Sequence, residues 1–245
     1  MKDKKIKKAA ELLWLMGIVL VALGVAICSM TDLGVSMIAA PAFILQEFLV
    51  RFWGGLTVGV VEYIFQGLLL ILMCLLVRRF RWRYLLAFLC AVLYGYVLNF
   101  FLWVLRDVRI DSAAARWGML LLGDTVTAAG VACFFRTYLP LQVYELFVAE
   151  LSKHRHFSIN KTKAVFDYSL LAISVLMALL LFRDAGSFPW RSIGAQCFHS
   201  LGLGTVVTTL INSLLITVIG RGLDRRFEQA PRFPRAAELL SEAEE

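Results

Sequence analysis

TYLPLQVYELFVAELSKHRHFSINKTKAVFD, Thr137 to Asp167, lies between two apolar spans and is itself too polar to be a third. It reads as a short helix started by Pro140, then a basic loop, then the first turns of a span. An earlier stretch has the same plan. A shift of 106 residues lays GIVLVALGVAICSMTDLG (Gly17–Gly34) over GDTVTAAGVACFFRTYLP (Gly123–Pro140), with seven of eighteen positions identical. The identities run past the apolar part into Thr-x-Leu, at Thr31/Thr137 and Leu33/Leu139. Beyond the short helix the offset becomes 101, so that Thr57-Val58-Gly59 faces Ser158-Ile159-Asn160, Phe65 faces Phe166 and Gln66 faces Asp167. Matches between Ala/Gly/Val-rich spans also arise by chance. Their extension beyond the apolar run favours an internal duplication.

Composition sets the class. In 245 residues, 60% are hydrophobic and the mean hydropathy is +0.76, far above a soluble domain, and the apolar runs reach bilayer-spanning length. The net charge of +7 comes from basic residues at the ends of apolar runs, where they fix orientation, so no nucleic-acid partner is implied. The five cysteines are odd in number, sit within or at the ends of spans and show no C-x-x-C spacing, as expected of small packing residues.

The expected spans are Glu11–Met30, Thr57–Val77, Tyr84–Leu105, Gly118–Phe135, Ala164–Phe182 and Cys197–Gly220. The first follows a lysine-rich leader but lacks a small-x-small cleavage site, so it is expected to be retained. TDLGVSMIAAPAFILQEFLVRFWGG, with Asp32, Pro41, Glu47 and Arg51, is a poor span and reads as a re-entrant helix. If neither short helix crosses, 19 of the 25 Lys and Arg residues lie on the side of the N-terminus and 6 on the other. That asymmetry places both termini in the cytoplasm.

The expected fold class is therefore all-α, a polytopic membrane bundle of six spans. Residues 1–226 form the membrane domain, with repeats over about 11–105 and 118–220, and 227–245 a solvated, disordered cytoplasmic tail. Three spans per repeat is an odd number, so the second copy is inverted. Each copy then contributes one broken helix, Leu33–Val50 or Leu139–Leu151, entering from opposite sides. Paired broken elements in inverted halves point to a central transport site.

Polar residues give the candidate site. Gln142, Glu145, Ala149 and Ser152 share one face of the second short helix. An amphipathic helix lying on the bilayer surface would show the same pattern. Thr205, Thr208, Thr209 and Asn212 stripe the last span, Gly95 and Asn99 share the third, Glu62 and Gln66 the second, and Asp124 and Asp167 lie in the fourth and fifth. A carboxylate at the bilayer centre costs roughly 2.5–3.5 kcal/mol and needs a partner, a proton or water. Glu62 reads as close to the outer end of its span and Asp167 to the inner end of its own. Arg136 is the available cation, and Asp167 could equally form a structural pair with Arg136 or Lys163. Amides and hydroxyls also serve as interhelical glue. The expected solute-lining set is Glu145, Asp124, Asp167, Gln66, Asn99, Asn212 and Thr209, with Arg136 as charge partner. No H-E-x-x-H, G-x-S-x-G or P-loop occurs, and His154, His156 and His199 form no ligand set. Neither an enzyme, a metal nor a cofactor is expected. The expected partners are the lipid bilayer and a small polar solute, with a homo-oligomer left open.

RTYLPLQVYELFVAELSKHRHFSINKTKAVFD, with TDLGVS before it and GLGTVVTTLINS after it, resembles the YczE-like bacterial membrane proteins of the broader YczE/YyaS/YitT group, over about Leu12–Arg226. The resemblance implies a multi-span protein of the bacterial inner membrane, of a kind often suggested to transport solutes. Where such proteins tend to carry Ser-Pro-x-Asp after Leu-Gly, this chain has Ser36-Met37-Ile38-Ala39, and Glu145 supplies an acid at the matching place in the second copy. The leading expectation is a transporter or permease. The alternative is a non-catalytic membrane scaffold or accessory subunit.

Overall fold

The computed structural model describes residues 6–181 and 201–230. Its helices in chain order are α1 (Ala10–Ser29), α2 (Ala40–Leu49), α3 (Val58–Val77), α4 (Trp82–Leu105), α5 (Ala113–Phe134), α6 (Val143–Arg155), α7 (Ile159–Leu181) and α8 (Leu203–Arg226). All but α2 and α6 are long and apolar enough to cross a bilayer, which gives six spans among the described residues and a multi-pass membrane protein. Cys197, His199 and the tail beyond residue 230 lie outside the described residues.

Two spans, α5 and α7, start five residues upstream of the expected positions. α5 begins at Ala113, not Gly118, because Ala113-Ala114-Ala115 are strong helix formers placed directly after Ser112, which stays extended as the N-cap. α7 takes in Lys161 and Lys163 because Lys163 turns inward to Asp167 one turn on. Phe227–Ala230, which the sequence reading assigns to a solvated tail, pairs in parallel with Ile6–Ala9. That pairing ties the start of α1 to the end of α8 and puts both ends of the bundle on one side.

Glycines set the central crossing. Gly17 lies against the backbone of Gly130, and its counterpart Gly123 lies against Gly24. α1 and α5 are therefore antiparallel, and the contact is exchange-symmetric: each repeat offers the other the same pair of positions. Such a contact requires a two-fold axis between the halves, perpendicular to the helices. Missing side chains let the two backbones close up, as is usual where membrane helices pack.

The rest of the bundle follows the same exchange. α1 packs on α4 and α5 on α8, while each short helix packs on the second span of the other half, α2 on α7 and α6 on α3. The C-terminal ends of α1 and α4 share one wall, so these two run the same way. α3 runs against α4, with Gly59 beside Gly95 and Gly67 beside Phe88. The link from α1 to α3, with α2 inside it, thus leaves and returns on one face.

The breaks repeat in detail. The hydroxyl of Thr31 accepts from the Leu33 amide at 3.4 Å, and that of Thr137 from the Leu139 amide at 2.9 Å. Gly34, at φ +106°, follows the first break, and a Cβ there would stand 2.3 Å from the Thr205 hydroxyl. Only glycine combines that conformation with so close an approach. The Leu33 carbonyl accepts from the Gly204 amide at 2.9 Å, anchoring the break to the start of α8. Outward faces carry leucines and aromatics such as Leu68, Ile71, Leu75, Leu89 and Trp103, as a lipid-facing surface requires.

Candidate functional site: a cavity between the two halves

Both short helices are buried at their N-terminal ends. Val35, Ser36, Met37, Ala39 and Ala40 are inside at the first break, and Gln142, Val143, Tyr144 and Glu145 at the second. A helix lying on the bilayer surface would keep its polar face wet. Glu145 instead is only 3% exposed, so α6 enters the bundle.

The two N-termini meet at a cavity of about 10 Å3, space for one water-sized body. Its wall is built almost wholly from repeat-related pairs: Val21 and Thr127, Val25 and Val131, Ser36 and Gln142, Ile38 and Tyr144, Ala39 and Glu145. Tyr94 of α4 completes it. The cavity therefore lies on the two-fold axis, yet its two sides differ chemically. The first repeat contributes mostly aliphatic groups, and the second a hydroxyl, an amide, a phenol and a carboxylate.

A connected polar cluster extends from that second side. The Tyr144 hydroxyl donates to Glu62 Oε1 at 3.0 Å, and the Gln66 amide approaches the same oxygen at 3.5 Å. Tyr94 lies within electrostatic reach of both Glu62 and Glu145. Glu145 in turn interacts with Lys163 and Asp167, which pair at 3.3 Å. Glu62, Gln66, Glu145, Lys163 and Asp167 are all at most 5% exposed. One oxygen each of Glu62, Gln66, Glu145 and Asp167, and the Gln142 Nε2, has no hydrogen-bond partner. Buried polar atoms normally find partners, so such a concentration is not explained by packing alone.

The expected site residues separate into three places. Glu145, Gln66 and Asp167 belong to the cluster just described. Asp124, Thr209 and Asn212 lie between α5 and α8. Leu120 stands beside Gly204 and Arg136 beside Gly220, so these helices run together in constant register and Asp124 comes level with Thr208. Both carboxylate oxygens of Asp124 and both amide atoms of Asn212 are buried without a partner, while Thr209 donates to the Thr205 carbonyl at 2.6 Å. None of the three lines the central cavity.

Asn99 and Arg136 lie elsewhere. Asn99 accepts from the Gly59 amide at 2.9 Å and donates to the Thr57 hydroxyl at 3.0 Å, capping the start of α3 from α4. Arg136, expected as the cluster's charge partner, instead makes a two-pronged contact with Asp224 of α8, each bond 2.7 Å. Its planar fork matches a carboxylate, and it lies over Gly220, where a Cβ would stand 2.5 Å from the guanidinium. Lys163 therefore supplies the buried cation beside Asp167.

The expected solute-lining set leaves out Glu62, Tyr94 and Tyr144. Glu62 is one turn into its span and reads as interfacial, but Tyr144 reaches it from the opposite half. A signal was present: the 101-residue offset that pairs Gln66 with Asp167 also pairs Glu62 with Lys163. Each half thus carries a polar couple four residues apart on its second span. The tyrosines gave no such signal, since an aromatic ring on an apolar face reads as packing.

The model of a family of unknown function, DUF6198, matches residues 8–221. No curated protein matches the chain, and no solved structure does.

Proposed function

We propose that this chain, which belongs to DUF6198, a family of unknown function, is a transporter or permease that carries a small polar solute by alternating access between its two inverted halves. The observation that carries the reading is the cavity on the two-fold axis, where the N-terminal ends of both broken helices meet beside a buried polar cluster. In inverted-repeat carriers a rocking of one half against the other exposes such a midplane site to each side in turn. Antiparallel glycine contacts between α1 and α5 give a smooth surface on which that rocking can occur. The Lys and Arg asymmetry orients both termini toward the cytoplasm, and the resemblance to YczE-like proteins favours the inner membrane of a bacterium.

A second reading, a non-catalytic scaffold or accessory subunit, is favoured by Asn99 and Arg136, whose polar atoms join helices and do not line the central cavity. An uptake screen with purified protein in proteoliposomes separates the two. Saturable uptake that Glu145→Gln abolishes supports transport. Silence across neutral, cationic and anionic solutes, with a correctly folded protein, would leave the scaffold.

A further inference from the structure

Charge and shape at the central cavity say more about its occupant. Lys163, paired with Asp167 and within electrostatic reach of Glu145, is one buried cation against the three buried acids Glu62, Glu145 and Asp167, so the cluster is short of positive charge among the described residues. Each has an oxygen with no hydrogen-bond partner, and Glu145 is part of the cavity wall. The rings of Tyr94 and Tyr144, both 2% exposed, line the same space and add the electron-rich faces that attract cations. The Gln142 amide, buried and with its nitrogen unpartnered, faces it as well.

An anion is the first thought for a site at two helix N-termini. Here Glu145 stands in the first turn of α6 and already opposes that helix's positive end, and Pro41 deprives the first turn of α2 of a donor. An incoming anion would meet a cluster in which buried acids outnumber the one buried cation, Lys163. A hard divalent ion wants six or more oxygens, and no cluster of three or more acidic, histidine or cysteine ligands occurs among the described residues. The opposite wall is aliphatic, with Val21, Val25 and Ile38.

We propose that the central site takes a small protonated amine, its ammonium group turned to Glu145 and Tyr144 of the second repeat and to Tyr94 of α4, and its short alkyl group against Val21, Val25 and Ile38 of the first repeat. This rests on the transporter reading for its path across the membrane, but binding can be measured without transport. A single ammonium group matches the cavity's present size, and an alkyl group enters as the halves rock apart. The asymmetry of the two-fold site, polar on one side and apolar on the other, holds an amphiphile in one orientation.

The test uses the full chain in detergent micelles, with methylammonium chloride as probe and sodium chloride, sodium acetate and acetamide as comparisons at matched ionic strength. Methylammonium is expected to raise the unfolding temperature of the wild type and of Glu150→Gln, where the other three do not. Glu145→Gln should weaken its binding by roughly tenfold or more, as loss of a charged hydrogen bond does. No methylammonium effect on the wild type, an equal effect on Glu145→Gln, or a preference for acetate or acetamide would overturn the proposal. Should Glu145→Gln fail to fold, the wild-type ranking of the four compounds decides alone. Binding without uptake of any solute sinks the transporter reading and leaves the amine; uptake of an anion without methylammonium binding does the reverse.

Discussion

Replacing Gly24 by alanine puts a methyl group into the tightest part of the α1–α5 crossing. The new Cβ would stand 2.2 Å from the Thr127 hydroxyl oxygen and 2.5 Å from the Gly123 carbonyl oxygen, where ordinary contact starts at 3.4 Å. Thr127 could rotate away, but the carbonyl belongs to the backbone of the opposing helix. The two helices must therefore part by nearly 1 Å, and a gap of that size forfeits roughly a quarter to a half of each dispersion contact along the seam. Overpacking costs about 1–3 kcal/mol, and a clash with backbone sits at the upper end. Alanine returns about 1 kcal/mol of helix propensity. The expected net loss is about 2 kcal/mol, close to thirtyfold in the unfolding equilibrium. Gly130→Ala should behave alike, because its Cβ would meet Val21 N at 2.8 Å and Gly17 O at 2.9 Å. Gly118 is the comparison: nothing lies within 4 Å of a Cβ there, so Gly118→Ala should be neutral or slightly stabilising. Thermal unfolding in micelles can be followed by a thiol-reactive dye, since Cys28 and Cys90 are buried and react only on opening. If Gly24→Ala or Gly130→Ala unfolds like Gly118→Ala, the glycine seam is not what joins the halves.

In a Cys-free variant, single cysteines at positions 82 and 155 should label from the cytoplasmic side and those at 109 and 187 from outside; outside labelling at 82 contradicts the inverted arrangement. Once a solute is found, Glu145→Gln should remove its pH-dependent transport while leaving expression and folding nearly unchanged. Glu150→Gln, whose side chain reaches Arg81 at 4.0 Å away from the cavity, should be close to silent. Asn99→Ala should cost about 1 kcal/mol of stability through the lost cap on α3 and leave solute preference untouched. Asp224→Ala should cost at most about 1 kcal/mol, because the carboxylate of this ion pair is half exposed and screened.

Much of the architecture is already present in the amino-acid sequence. Spans are set by runs of apolar residues, and a run either is or is not as long as a bilayer is thick, so all six spans follow from composition alone. The breaks are local too: Thr-x-Leu folds its own hydroxyl onto its own backbone, and Gly34 permits the conformation that follows. The duplication foretells which residues are equivalent, and so which glycines meet. Beyond couples four residues apart on one helix, such as Lys163 and Asp167, partnership between polar side chains is not local. Arg136 could reach Asp167 or Asp224 as far as charge goes, and only the register of α5 on α8 selects Asp224. Glu62 becomes part of the buried cluster because α6 of the opposite half delivers Tyr144 to it, across 82 residues of chain. A long-range hydrogen bond depends on where two helices cross, to within a fraction of an ångström, and no spacing along one helix encodes that position. The sequence therefore determines that there are two halves and which residues correspond, whereas the tertiary structure decides which of them face each other across the axis.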